Sequence, residues 1–222
     1  MSPINLLRKA GLHLVLLVAA ASTMAADGVR VLETRAVAGE APSASKPPTH
    51  DLRLQLHTFQ GSRWGAGDAV VVAWEAASVL SQCGIAFAGG EVRLLETPDR
   101  FQQYSAPAAR DLLRAATFTK PAVFFIERMS GEPQQTSNAV GRANSSGRPE
   151  LADTVWLAYG DYDVVLTLAH ELVHVLSDNA EHSSEAGNLM SAQYSPENTR
   201  LTAGQCAQLI ARGEANGLLK RR

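Results

Sequence analysis

Leu168-Ala169-His170-Glu171-Leu172-Val173-His174-Val175-Leu176 contains the pattern H-E-x-x-H inside an apolar stretch. On a helix, His170 and His174 fall one turn apart on the same face, so both imidazoles can point at one metal ion. Glu171, beside the first of them, would stand over the open side of that ion and take a proton from water. Val164, Val165, Leu168, Leu172, Val175 and Leu176 recur mostly at three- and four-residue steps. That spacing predicts a helix with a buried stripe behind a polar face.

Downstream, the helix is expected to end at Ser177-Asp178-Asn179, with Asn179 taking the left-handed conformation that turns the chain back. A catalytic zinc normally has three protein ligands and leaves its fourth position to water, so a third ligand must follow. His182, just past that turn, is the first choice. Asp178 and Glu185 compete with it, and Glu197 has the distance expected of a ligand from a second helix. Upstream, Thr154–Ala158 reads as a strand leading through Tyr159-Gly160-Asp161 into the helix, with Asp161 as its cap.

Further out, Leu52, Leu54 and Leu56 alternate with polar residues in Asp51–Phe59, the period of a half-buried strand whose polar face carries His57 as a surface residue. Asp68 is expected to cap a helix carrying Val71, Val72, Trp74, Val79 and Leu80 and ending at Cys83-Gly84. Strands are expected at Glu91–Leu95 and, from its continuous apolar run, at Pro121–Ile126, with a helix over Ala106–Ala116 between them. Residues 130–149 are rich in Gly, Ser, Asn and Gln and read as loop, with a short strand at 138–143. Thr202 would cap a last helix through about Arg212. The order predicts a mixed α/β (α+β) fold, a twisted mixed sheet with a backing helix, an active-site helix and a C-terminal helix.

The 222 residues, 45% hydrophobic and without internal repeats, are enough for a single domain with a real core. Residues 1–25 read as a secretory signal peptide: Arg8 and Lys9, an apolar run from Ala10 to Ala21, and small residues at Thr23 and Ala25. Residues 26–50, centred on the Pro- and Ser-rich 39–48, read as a flexible leader, and 51–222 as the single catalytic domain. Losing Arg8 and Lys9 with the signal reduces 20 cations to 18 against 22 acids, a net charge of −4. Such a surface has no footprint for nucleic acid or anionic membrane, and Lys220-Arg221-Arg222 reads as a solvated tail. In an exported chain, secreted or periplasmic, Cys83 and Cys206 are expected to form one disulfide. Nothing in the sequence fixes an oligomeric state.

His170-Glu171-Leu172-Val173-His174, then His182, then Gly187-Asn188-Leu189-Met190-Ser191, resembles the metzincin clan of zinc endopeptidases. The resemblance implies that Met190 occupies the tight turn beneath the zinc and that 138–143 is the edge strand along which a peptide lies. Where the clan has a glycine and a third histidine at fixed steps after the second histidine, this chain has Ser177 and Ala180, so His182 would arrive two residues late. The expected activity is hydrolysis of peptide bonds in a peptide or protein substrate, with Zn2+ as cofactor, Glu171 as general base and Tyr194 as a candidate for oxyanion support. Two alternatives stand beside it: a zincin with an acidic third ligand, and a secreted binding domain that keeps a vestigial zinc site.

Overall fold

A computed structural model describes residues 28–39, 47–129, 141–144, 151–160 and 163–222. The expected signal peptide, the cap expected at Asp161 and residues 138–140 of the expected edge strand lie outside these residues. Among the described residues the chain forms β1 (Arg30–Val37), β2 (His50–Phe59), α1 (Ala66–Leu80), β3 (Ile85–Glu96), β4 (Gln103–Tyr104), α2 (Ala106–Ala115), β5 (Ala122–Ile126), β6 (Arg128–Met129), β7 (Gly141–Asn144), β8 (Thr154–Ala158), α3 (Val164–Ser177), α4 (Ala203–Ala215) and β9 (Leu219–Arg221). The main sheet runs β1-β3-β2-β5-β8-β7, with β9 paired to β2 off that path. Strands β3, β2, β5 and β8 are mutually parallel, while β1, β7 and β9 pair antiparallel. This is the mixed α/β architecture expected from the order of elements.

Both faces of the sheet are covered, which is why β5 and β8 read as continuous apolar runs. Leu52, Leu54, Leu56, Val123, Phe125, Val155 and Leu157 share one core with buried residues of α1, α3 and α4. The alternate side chains Phe59, Phe124, Ile126 and Trp156 form a second core with Ala109 and Leu112 of α2. The two-residue period of each strand therefore feeds two cores. Helix α1 approaches the sheet on small residues, Ala69, Ala73, Ala76 and Ala77, all buried. A Cβ at Gly90 would overlap the Leu54 carbonyl oxygen, so glycine is required where β3 crosses β2.

Four expectations are corrected. The first described strand, β1, lies inside the segment read as a flexible leader, because Val29, Val31 and Val37 supply apolar side chains that pack on the two cores. His57 is fully buried, since its face of β2 lies under the second core and not under water. Asp68 does not begin α1; Gly65 does, and the Asp68 carboxylate accepts the Gly65 N–H at 3.0 Å from the third helical position. The C-terminal cations are tied down: Leu219–Arg221 pair with His50–Leu52, Arg221 meets Glu214 at 3.1 Å and Arg222 meets Asp51 at 2.5 Å. The Cys83–Cys206 disulfide is formed and joins the end of α1 to α4. No helix among the described residues is long and apolar enough to cross a membrane.

Candidate active site

Helix α3 starts at Asp163, whose carboxylate accepts the N–H groups of Val165 and Leu166 at 3.1 and 3.0 Å. This N-cap stands two residues after the expected Asp161 and satisfies two of the four N–H groups a helix start leaves open. Leu168, Ala169, Leu172, Val173, Val175 and Leu176 are buried against α1, the sheet and α4, leaving His170, Glu171 and His174 on the opposite side. The left-handed turn falls at Asp178 (φ 48°), not at Asn179 as expected. Asn179 acts through its backbone instead, where its carbonyl accepts the Nδ1–H of His174 at 2.6 Å. The Nδ1–H of His170 donates to the Leu189 carbonyl at 2.7 Å.

These two bonds fix the tautomers, because a carbonyl can only accept. Both Nε2 atoms then carry lone pairs, and they face each other at 3.0 Å. Two lone pairs at that distance repel unless a cation or a proton lies between them. His182 closes the group, its ring 5.3 Å from that of His170 and 5.0 Å from that of His174. One ligating nitrogen from each of the three lies within 4.8 Å of the others. Tetrahedral zinc with nitrogens at ~2.1 Å separates its ligands by roughly 3.4 Å, so the donor set fits such an ion. Burial depresses His170 and pushes His174 down to about 4, and the neighbouring imidazoles add to both shifts. His170 and His174 therefore favour the neutral form that metal binding requires.

Glu171 lies against β7. Burial pushes its carboxyl up to about 7, opposed by a hydrogen bond from the Ala143 backbone and by the charge of Arg142. A Cβ on Gly141 would meet Thr167 Cγ2 at 2.5 Å and Glu171 Cγ at 2.9 Å, so glycine lets the strand approach this closely. Among the described residues β7 is the last strand of the sheet, and its pairing with β8 uses one of its two sides.

Met190 is buried in the first core, in a turn that follows Gly187 (φ 72°). Tyr194 is 53% exposed, and its hydroxyl meets the Asp163 backbone at the start of α3, about 10 Å along the helix from His170. Of the alternative ligands, Asp178 is the helix C-cap, while Glu185 and Glu197 are exposed in turns built on Ser183 and Ser195. Among the described residues the three histidines form the one group of this kind, and no acid joins it. Sequence reasoning missed the Leu189 and Asn179 carbonyls, which orient His170 and His174 and leave no signal in a side-chain pattern. It also missed Gly141 and Ala143, whose roles depend on how closely β7 approaches α3.

No protein-family model matches the sequence, and no curated protein matches it. Among solved structures, the chain is similar to the crystal structure of metalloproteinase-II from Bacteroides fragilis, with a TM-score of 0.52 and 16% identity. The similarity covers 79% of this chain and 57% of that one, so this chain spans a little over half the length of its structural neighbour. At this identity it shows a shared fold.

Proposed function

We propose that this chain is a zinc-dependent endopeptidase acting outside the cytoplasm, its described residues forming one catalytic domain. The observation that carries the reading is the group of three imidazoles with Glu171 beside it, next to the last described strand of the sheet. The fold shared with a metalloproteinase supports it, and the disulfide agrees with an exported chain.

His170, His174 and His182 would hold the ion through nitrogens. When bound, zinc supplies Lewis acidity, polarising a carbonyl and lowering the pKa of water. Glu171 takes the water's proton and then delivers it to the leaving amine; a carboxyl that titrates near neutrality suits both transfers. The Ala143 N–H holds the carboxylate still while it does so. The side of β7 that no described strand pairs with would offer backbone donors and acceptors to an extended peptide, which selects chain conformation before side-chain identity.

The test is zinc content by elemental analysis and cleavage of an unstructured protein, for the native chain, Glu171→Ala and His182→Ala. The expected result is one zinc per native chain with turnover, zinc kept but turnover reduced at least 100-fold in Glu171→Ala, and zinc lost in His182→Ala. A zinc-loaded native chain that cleaves nothing would leave the binding-domain alternative standing. Zinc retained by His182→Ala would return the third ligand to an acid.

A further inference from the structure

Two of the three imidazoles depend on one turn. Leu189 supplies the carbonyl that orients His170, and the Met190 carbonyl accepts the N–H of Ser183, the residue after His182, at 2.7 Å. A shift of residues 187–191 would therefore move His170 and His182 together. That turn is fastened by Asn188, which is only 3% exposed. Asn188 Oδ1 accepts the Met190 N–H at 2.9 Å and Gln205 Nε2 at 3.2 Å, while its Nδ2 donates to Gln205 Oε1 at 3.0 Å. Gln205 Oε1 also accepts the Thr202 N–H at 2.8 Å, and Gln205 N–H donates to Thr202 Oγ1 at 3.2 Å, closing the capping box of α4.

Neither amide can turn over. Flipping Asn188 would put its NH2 against two donors, and flipping Gln205 would put its NH2 against the Thr202 N–H and Asn188 Nδ2. The anchor on the α4 side is itself fixed. Cys206, the next residue, is bonded to Cys83, and Gln82 donates to the Thr199 carbonyl at 2.9 Å and accepts the Leu201 N–H at 2.8 Å.

We propose that Asn188 and Gln205 are positioning residues for the metal site, their paired amides setting the height of the turn that aims His170 and places His182. The inference rests on the zinc-peptidase reading and extends it to residues that touch neither metal nor substrate. Partners behind metal ligands typically change metal affinity by about 10- to 100-fold when removed, a size that a competition assay resolves.

The experiment measures zinc affinity by competition with a chromophoric chelator, and the visible spectrum of the Co2+-substituted protein, on the full oxidised chain. Asn188→Ser keeps a hydroxyl that can accept the Met190 N–H but is too short to reach Gln205. Gln205→Met keeps the length and removes the amide. Thr202→Ala is the control, since it weakens the α4 cap without touching Asn188. Zinc binding tenfold or more weaker in Asn188→Ser and Gln205→Met, with altered cobalt bands, is the expected result. Thr202→Ala should melt at lower temperature yet bind zinc within twofold of native. One variant that folds is enough to decide. Native-like affinity and spectra in the folded variants would overturn the inference while leaving the peptidase reading intact, as would equal weakening in Thr202→Ala. A native chain that binds no zinc would overturn both.

Discussion

His57 shows how a single residue can couple the core to acidity. Its ring stacks on Phe124 at 4.7 Å, Phe124 stacks on Trp156 at 4.2 Å, and Phe118 meets it edge-on at 4.8 Å. Nε2 has Gln55 Oε1 at 3.1 Å, and Nδ1 is buried with no hydrogen-bond partner among the described residues. Burial, reinforced by the charge of Arg93, holds this imidazole well below its usual pKa. The ring stays neutral in the fold but is protonated in the unfolded chain once the pH falls below about 6.5. The unfolded state then binds more protons, so this residue's contribution is complete above that pH and is lost as the pH falls below it. His57→Phe keeps the stack and removes the titration. Urea unfolding at pH 7 and pH 5 should show a smaller loss of stability on acidification in the variant than in the native chain; equal losses would assign the acid sensitivity elsewhere.

At the scale of elements, the contact of β7 with α3 decides where Glu171, the proposed general base, sits. Gly141→Ala would put a methyl group against Thr167 Cγ2 and Glu171 Cγ, and overpacking of this kind costs about 1–3 kcal/mol. Lower stability and lower turnover are both expected. Adding Thr167→Ser should recover part of each, because it deletes the nearer contact and keeps the hydroxyl that donates to the Asp163 carbonyl at 2.9 Å. Calorimetry and a peptidase assay on the single and double variants check this. Elements with a strong period were legible in the sequence: α3 from its apolar stripe, β2 from its alternating leucines, α4 from Thr202. Those whose identity depends on partners were not. β1 is a polar strand next to a Pro- and Ser-rich stretch, β9 is three residues of a basic segment, and His57 on the polar face of β2 is covered by Phe118 and Phe124, distant in sequence. Within the site, H-E-x-x-H and His182 were legible as ligand-type side chains, whereas the carbonyls that aim them appear only with the fold.

For the molecule as a whole, the Cys83–Cys206 bond closes a span of 123 residues that contains most of the sheet and the histidine helix. On the chain-entropy account such a closure contributes up to roughly 4–5 kcal/mol. Replacing both cysteines by alanine should lower the urea midpoint accordingly, and an unchanged midpoint would mean that the unfolded chain is compact without the bond. The central strands have a different consequence, for how quickly this structure is reached. Leu56 pairs with Val92 on one side and Val123 on the other, and Val123 pairs with Val155. Not one of these partners is a hairpin neighbour. The chain must close several large loops before any of that pairing repays the lost entropy, a high contact order that slows folding. Until β5 and β8 dock, their apolar runs stay open to other chains, so a newly made molecule passes through an interval in which self-association competes with completion of its own sheet.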